Sequence, residues 1–279
     1  MARLLRGSPG GAVLPSGRSV ETGIDVIGDI AIVKLGEGRE EKKEEDDGPA
    51  VGRAIMEAMR NVRAVYDQRG GLEGDFRLRR LRHLAGEERT LTLHRENGLR
   101  FVVDVESCYF SPRLSTERAR IADLVEDGEV VLNMFAGVGP YSITVARRKD
   151  VEVYSNELNE AAYRLHLEND RLNKVEERVH ATNEDAMTLA HPDGRFDRVL
   201  MPHPSQSDRF LGAARRMVRE GGWIHYYRHV SGASVEEASA TLEAELRPLL
   251  GDGDTFTCRR VREIGPHYLE LVADIRAGR

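Results

Sequence analysis

From about residue 101 onward the chain repeats one pattern: an apolar run, a polar loop, then an amphipathic stretch. That rhythm constrains the fold more than any other feature. "EVVLNMF" (129–135) reads as a buried strand, followed by the Gly-rich "AGVGPYS" and the helix "YSITVARR". "VEVYSNE" (151–157) is the next strand and "NEAAYRLHLENDRLN" the next helix. "RVHATNED" and "FDRVLMP" are further strands, and "SDRFLGAARRMVREGG" predicts an amphipathic helix closed by a Gly-Gly C-cap. "WIHYYRHV" returns to strand. Strands alternating with helices in this way predict an α/β fold, a doubly wound and mostly parallel sheet with ligands at the carboxyl ends of its strands.

The first hundred residues follow another rule. "SVETGIDVIGDIAIVKL" (19–35) places a Gly-Asp turn between two β-branched runs and predicts a strand pair. "PAVGRAIMEAMRNV" sets Val51, Ile55, Ala58 and Met59 on one helical face. Short alternating runs, "TLTLH" and "LRFVVDVES", surround Glu96-Asn97-Gly98, a hairpin turn. Residues 19–100 therefore read as a small α+β domain ahead of the doubly wound domain of 101–279. The Gly- and Pro-rich residues 1–18 read as a flexible tail. A chain of 279 residues accommodates one large and one small core.

Composition narrows the setting. No run approaches 18 uninterrupted apolar residues, so no membrane span is expected. Cys108 and Cys258 lie far apart with no metal-ligand spacing, which points to a reducing cytoplasm. The formal net charge is −6, but charge is segregated. Residues 37–47 hold seven acids and three bases and read as a solvated loop. Residues 77–100 hold seven arginines against three glutamates. They read equally as a phosphate-facing surface or as the solvated face of a hairpin.

Chemistry concentrates in 129–185. Gly137 and Gly139 let the backbone approach a ligand at a strand's carboxyl end. Glu157, about 20 residues on, ends the second strand, where an acid suits two ribose hydroxyls. Asp185, in "NED", ends the third, where a carboxylate accepts from an adenine amino group. A bare G-x-G is also an ordinary tight turn; three polar markers at three successive strand ends say more. The loop lacks the third glycine of the dinucleotide pattern and the Gly-Lys-Ser/Thr of a triphosphate site. A nucleoside without phosphate, S-adenosylmethionine, fits better than NAD or ATP.

"HRENGLRFVVDVESCYFSPRLSTERARI", "NMFAGVGPYSITVA", "ELNEAAYRLHLENDRLN" and "EGGWIHYY" together resemble the archaeal and eukaryotic tRNA (guanine-N1)-methyltransferases, which modify guanosine 37 beside the anticodon. The resemblance runs from about residue 19 to the C-terminus and implies a short form without the family's extra N-terminal domain. It implies a class I, Rossmann-like methyltransferase domain, S-adenosylmethionine as cofactor, the tRNA anticodon loop and stem as partner, and action as a monomer. Mg2+ enters by family analogy alone, since no metal ligands are identifiable. Residue by residue, it makes Glu117 the general base and Arg77 the partner of guanine O6, with Tyr109 beside both cofactor and target base. Phe135, Ala136, Gly137, Gly139, Glu157, Leu158 and Asp185 would hold the cofactor. Arg113 would touch the RNA.

On residues alone these assignments stay open. Glu117 with Arg118 and Arg120 also reads as a helix-surface charge cluster. Arg79, Arg80 and Arg82 compete with Arg77 as phosphate contacts, and Tyr109-Phe110 reads as core. Where the family has Asn-Leu-Pro after the fourth strand, this chain has Pro202-His203-Pro204. Proline offers no side-chain amide and no N–H, so the guanine edge falls to His203, or to Ser205 or Gln206, unless His203 simply packs. His225 and His229 read as packing residues of a strand.

Three alternatives accompany this reading. A wyosine-pathway relative would transfer an aminocarboxypropyl group, but "FSPRL" and "GVGPY" depart from its FSxxN and GIGYF patterns. A bifunctional variant would also methylate a tricyclic guanine derivative. A non-catalytic tRNA-binding homologue has no physical need to keep Glu117, Arg77, Glu157 and the Gly loop together.

Overall fold

Two tight turns shape the N-terminal region. In the computed structural model, which describes residues 23–36 and 47–278, Gly28 adopts φ +59° and joins β1 (Asp25–Ile27) to β2 (Ile30–Val33) as an antiparallel pair. A Cβ at Gly28 would collide with Thr92 and Leu93, so only glycine fits there. The second turn, Asn97-Gly98, has positive φ at both residues and closes the hairpin of β5 (Leu91–Glu96) and β6 (Leu99–Asp104). Between these lie α1 (Gly48–Ala58), β3 (Ala64–Glu73) and β4 (Leu78–Gly86). The sheet order is β1-β2-β3-β4, with β2 and β3 parallel. Val51 and Ile55 of α1 are buried with Val33, Val65 and Leu84, while Ala58 of the expected apolar face is exposed. The tail 1–18 and all but Asp47 of the acidic loop lie outside the described residues.

The chain divides into compact units at Arg113/Leu114, not at the change of rhythm near residue 100. Arg100 is the second residue of β6, and a boundary there would cut the β5–β6 ladder.

The second unit opens with α2 (Ser115–Leu124) and β7 (Val130–Asn133). Then follow α3 (Pro140–Arg148), β8 (Glu152–Asn156), α4 (Glu160–Asn173), β9 (Val179–Thr182) and β10 (Phe196–Met201). The chain continues through α5 (Ser207–Met217), β11 (Val218–Ser231), α6 (Val235–Leu246), β12 (Thr255–Gly265) and β13 (Tyr268–Arg276). These strands form one seven-stranded sheet in the order β12-β13-β11-β10-β7-β8-β9. Strands β11, β10, β7, β8 and β9 are parallel; β13 and β12 run antiparallel at one edge. From β7 the chain winds outward through β8 and β9, then returns to β10 on the other side of β7. That reversal is the switch point where such sheets bind ligands.

The expected Gly-Gly helix cap is corrected. Helix α5 ends at Met217, and Gly221-Gly222 lies inside β11. Gly221, at φ +70°, donates its N–H to Ala277 O, and a Cβ on Gly222 would come within 2.8 Å of Asp197 O. The pair serves a close strand approach rather than a helix end.

Candidate active site

Local backbone chemistry builds the loop after β7. Gly137 and Gly139 both take positive φ, and Gly139 is the left-handed residue preceding Pro140, the first residue of α3. Buried polar side chains frame the loop. Asn133 Nδ2 donates to Ser142 Oγ at 3.0 Å, and Ser142 and Ser155 share a 2.6 Å hydrogen bond. Ala136, itself buried, gives its N–H to Asn156 O at 2.8 Å. From beneath, Asn169 Nδ2 donates to Val138 O, and a Cβ on Gly139 would strike the His166 ring at 2.3 Å.

Three strand ends converge on this loop. Gly137 N donates to Glu157 Oε2 at 2.6 Å and Asn159 N to Glu157 Oε1 at 2.7 Å, fixing both carboxylate oxygens. Burial pushes the Glu157 carboxyl above its usual range, and the N–H groups of Asn159 and Gly137 offset part of that rise. Asn156 ties the next loop: its Nδ2 donates to Glu184 O, and its Oδ1 accepts from Thr182 Oγ1 and Glu184 N. Asn183 Nδ2 bridges to the carbonyls of Glu157 and Leu158. Asp185 is exposed, with Oδ1 accepting from Met187 N. Leu158 is 49% exposed and Met187 48%, so an apolar side chain follows each acidic marker into solvent. Acceptors for hydroxyls and an amino group beside exposed apolar surface fit a nucleoside. The framing amides and Met187 escaped sequence reasoning, although "VLN" and "YSN" show a polar residue ending each apolar strand.

His203 sits in the loop after β10. Its N–H bonds Met201 O at 2.8 Å, a three-residue turn centred on Pro202 that suits the fixed φ of proline. The His203 carbonyl accepts from Ser207 Oγ at 2.8 Å, and its ring lies 5.2 Å from that of Phe135, which also meets Phe210 at 4.8 Å. Ser205 is exposed, and Gln206 N bonds the same His203 carbonyl. His203 thus shapes the wall behind Phe135.

In the first unit, Arg77 ends the turn after Gly74 with φ +55°, a strained conformation for a side chain of its size. Its guanidinium lies 4.8 Å from the Tyr109 ring centroid. Arg79 is different: it is buried, bonding Gln68 Oε1 and Phe110 O, and serves the structure. Tyr109 is half-buried while Phe110 is core, so the dipeptide divides its work. Arg113 is exposed and paired with Asp25 at 2.7 Å.

The reading of Glu117 as a surface charge cluster fails. Glu117 is 5% exposed and Arg118 1%. Both Glu117 oxygens are held by Arg120, at 2.7 to 3.1 Å, and Oε1 also accepts from Tyr227 Oη at 2.7 Å. Arg120 continues to both oxygens of Asp274, whose Oδ1 meets His225 Nδ1 at 2.6 Å. His225 Nε2 lies 2.7 Å from Arg198 Nη1, and Arg198 pairs with Glu129. An arginine only donates, so Nε2 accepts and the proton sits on Nδ1, facing Asp274. Burial lowers the His225 pKa more than Asp274 raises it, which agrees with a neutral ring. Burial raises Asp274, but the bonds from His225 and Arg120 outweigh it and hold the group at about 2. Strand register explains the alignment: His225 faces Asp274, and Tyr227 faces Val272, so both lie on one sheet face. His225 is buried as expected, but within a charge network. The alternation of polar residues at 225, 227 and 229 in "WIHYYRHV" was the available signal.

Among the described residues, no group of three or more His, Cys, Asp or Glu side chains converges as a metal site would, and no helix is long and apolar enough to cross a membrane.

Comparison with known proteins identifies relatives of both units. Residues 92–249 match the model of the TRM5/TYW2 methyltransferase domain, and residues 12–90 that of the TYW2 N-terminal domain. A Pyrococcus abyssi tRNA (guanine(37)-N(1))-methyltransferase, Trm5b, is 41% identical over 75% of this chain. The match spans 61% of that relative's own length. A Saccharolobus solfataricus tRNA 4-demethylwyosine(37)-methyltransferase, Taw21, is 32% identical over 91% of this chain and 93% of its own length. Among solved structures, a complex of aTrm5 with tRNALeu superposes with TM-score 0.79 at 33% identity, covering 93% of this chain and 73% of that one. Methanocaldococcus jannaschii Trm5 in complex with adenosine gives 0.76 at 32% identity, covering 93% and 75%.

Proposed function

The chain belongs to the TRM5/TYW2 methyltransferase family, and from that premise we propose that it methylates N1 of guanosine 37 in tRNA, using S-adenosylmethionine. The observation that carries the reading is the buried Glu117 carboxylate, fixed by Arg120 and Tyr227.

Guanine N1 carries a weakly acidic proton, and negative charge gathers on O6 as that proton departs. Glu117 takes the proton as general base. Arg77, steadied over Tyr109, offers its guanidinium to O6. Bound at the loops after β7, β8 and β9, the cofactor supplies an electrophilic methyl group. Glu157 accepts the ribose hydroxyls and Asp185 the adenine amino group. Leu158 and Met187 give the base apolar surface, Phe135 and Ala136 line the loop, and Gly137 and Gly139 leave room for the ligand. Arg113, Ser205 and His203 are assigned to the anticodon stem and loop, within a monomer acting on cytoplasmic tRNA.

A second reading has its own support. Pro202 removes the amide expected at the guanine edge, and the Saccharolobus relative, matched over nearly its whole length, is named for a tricyclic substrate. Methylation of a tricyclic guanine derivative at position 37 would use the same base and cofactor.

Labelled cofactor incubated with transcripts carrying guanosine or adenosine at position 37, followed by nucleoside analysis, tests the first reading. N1-methylguanosine from the guanosine transcript alone is expected; equal labelling of both transcripts, or none, overturns it. tRNA carrying 4-demethylwyosine, labelled while the guanosine transcript is not, would favour the second.

A further inference from the structure

A carboxylate offers about four lone-pair positions, and a general base must have one to give. In Glu117 all four are engaged. Arg120 takes two in a bidentate pair, through Nε to Oε2 at 2.9 Å and Nη2 to Oε1 at 2.7 Å. Tyr227 Oη takes a third at 2.7 Å, and Arg259 Nη1 reaches Oε2 at 3.3 Å. One partner therefore has to leave before guanine N1–H can be received.

The four contacts are not equally replaceable. Arg120 is locked from behind by both oxygens of Asp274, which His225 holds in turn. Tyr227 is 1% exposed on an inner strand, so its hydroxyl has no solvent alternative. Arg259 stands on β12, the outermost strand of the sheet, and its side chain is 45% exposed. Its contact is the longest of the four, and among the described residues Glu117 is its one recorded acceptor. Releasing it costs little, because water solvates the freed guanidinium.

We propose that Arg259 is the exchangeable partner of Glu117: it screens Oε2 in the free enzyme and gives that position up to guanine N1–H when RNA docks. The inference rests on Glu117 being the base. Arg259 is then a positioning residue that acts through Glu117, competing with the substrate for Oε2, while Arg120 and Tyr227 keep the carboxylate aligned.

Removing the competitor favours RNA. With full-length protein and guanosine-37 transcripts, Arg259→Ala is expected to raise kcat/KM about two- to fivefold, the range of an exposed ion pair, with the gain in KM. Arg259→Lys, which restores a donor, is expected to return the value toward wild type, with equal melting temperatures throughout. An unchanged kcat/KM, or a fall in kcat, overturns the proposal. The 15N guanidinium resonance of Arg259 supplies an independent arm. It is expected to move when the guanosine transcript binds and not when the adenosine transcript binds, since adenine N1 carries no proton. No movement, or equal movement with both, overturns the exchange. If the wild type fails to methylate guanosine, the functional reading falls, and the resonance still decides the exchange.

Discussion

Two regions of the second unit handle polar atoms in opposite ways. At the carboxyl ends of β7, β8 and β9, contiguous loops use backbone N–H groups to fix the Glu157 carboxylate, keep Asp185 exposed, and leave Leu158 and Met187 half in solvent. On the sheet face behind Glu117, charged side chains from positions 117, 120, 198, 259 and 274 and the neutral His225 ring satisfy one another in a largely buried chain. The first region is made to be completed by a ligand. The second is nearly complete already, and its single loose contact, Arg259, lies at its open end. Binding surface tolerates exposure because a nucleoside will cover it; a base has to be held, or it drifts from the proton it must take.

That contrast predicts unequal costs. The largest falls in the closed network: Arg120→Ala leaves Glu117 and Asp274 without their shared cation. It should lower unfolding free energy by about 3 kcal/mol in chemical denaturation and collapse turnover, with cofactor affinity of the folded fraction retained. A stable, active variant would show the network to be ornamental.

At the open region the loss is one of affinity. Glu157→Gln should weaken cofactor binding by calorimetry about tenfold at neutral pH, as expected for a hydrogen bond to a charged group. Because burial raises the Glu157 carboxyl, the group protonates at a higher pH than an ordinary glutamate and then loses an acceptor. Wild-type affinity should therefore fall as pH is lowered through that raised value, and the glutamine variant should show no such fall. Identical pH profiles would remove Glu157 from the ribose site.

The smallest effect belongs to the loop between these regions. His203→Ala removes a ring tilted against Phe135 but keeps the backbone bonds of the Pro202 turn, so cofactor affinity should drop only about two- to tenfold. Guanosine-over-adenosine preference should stay intact; loss of that preference would make His203 the reader of the base.

The open region was largely legible in the sequence, because Gly137, Gly139, Glu157 and Asp185 mark strand ends and the strands were readable from their apolar runs. The closed region was not. Glu117 came through family resemblance with Arg120 three residues on along the same helix, while Tyr227 and Arg259 lie 110 and 142 residues from Glu117 and Asp274 lies 154 from Arg120, brought together only by the sheet. Local pattern also misled where a close approach imitates a cap, as at Gly221-Gly222, and it could not separate the buried Arg79 from Arg77, which lies over the Tyr109 ring.

If the buried Glu117 carboxylate accepts the guanine proton, removing its charge must stop methyl transfer and leave the cofactor site intact. Single-turnover transfer to a guanosine-37 transcript by Glu117→Gln, with calorimetric cofactor affinity measured on the same preparation, addresses it most directly. A rate at least about 100-fold below wild type with unchanged cofactor affinity is expected. A rate within a few-fold of wild type would contradict it.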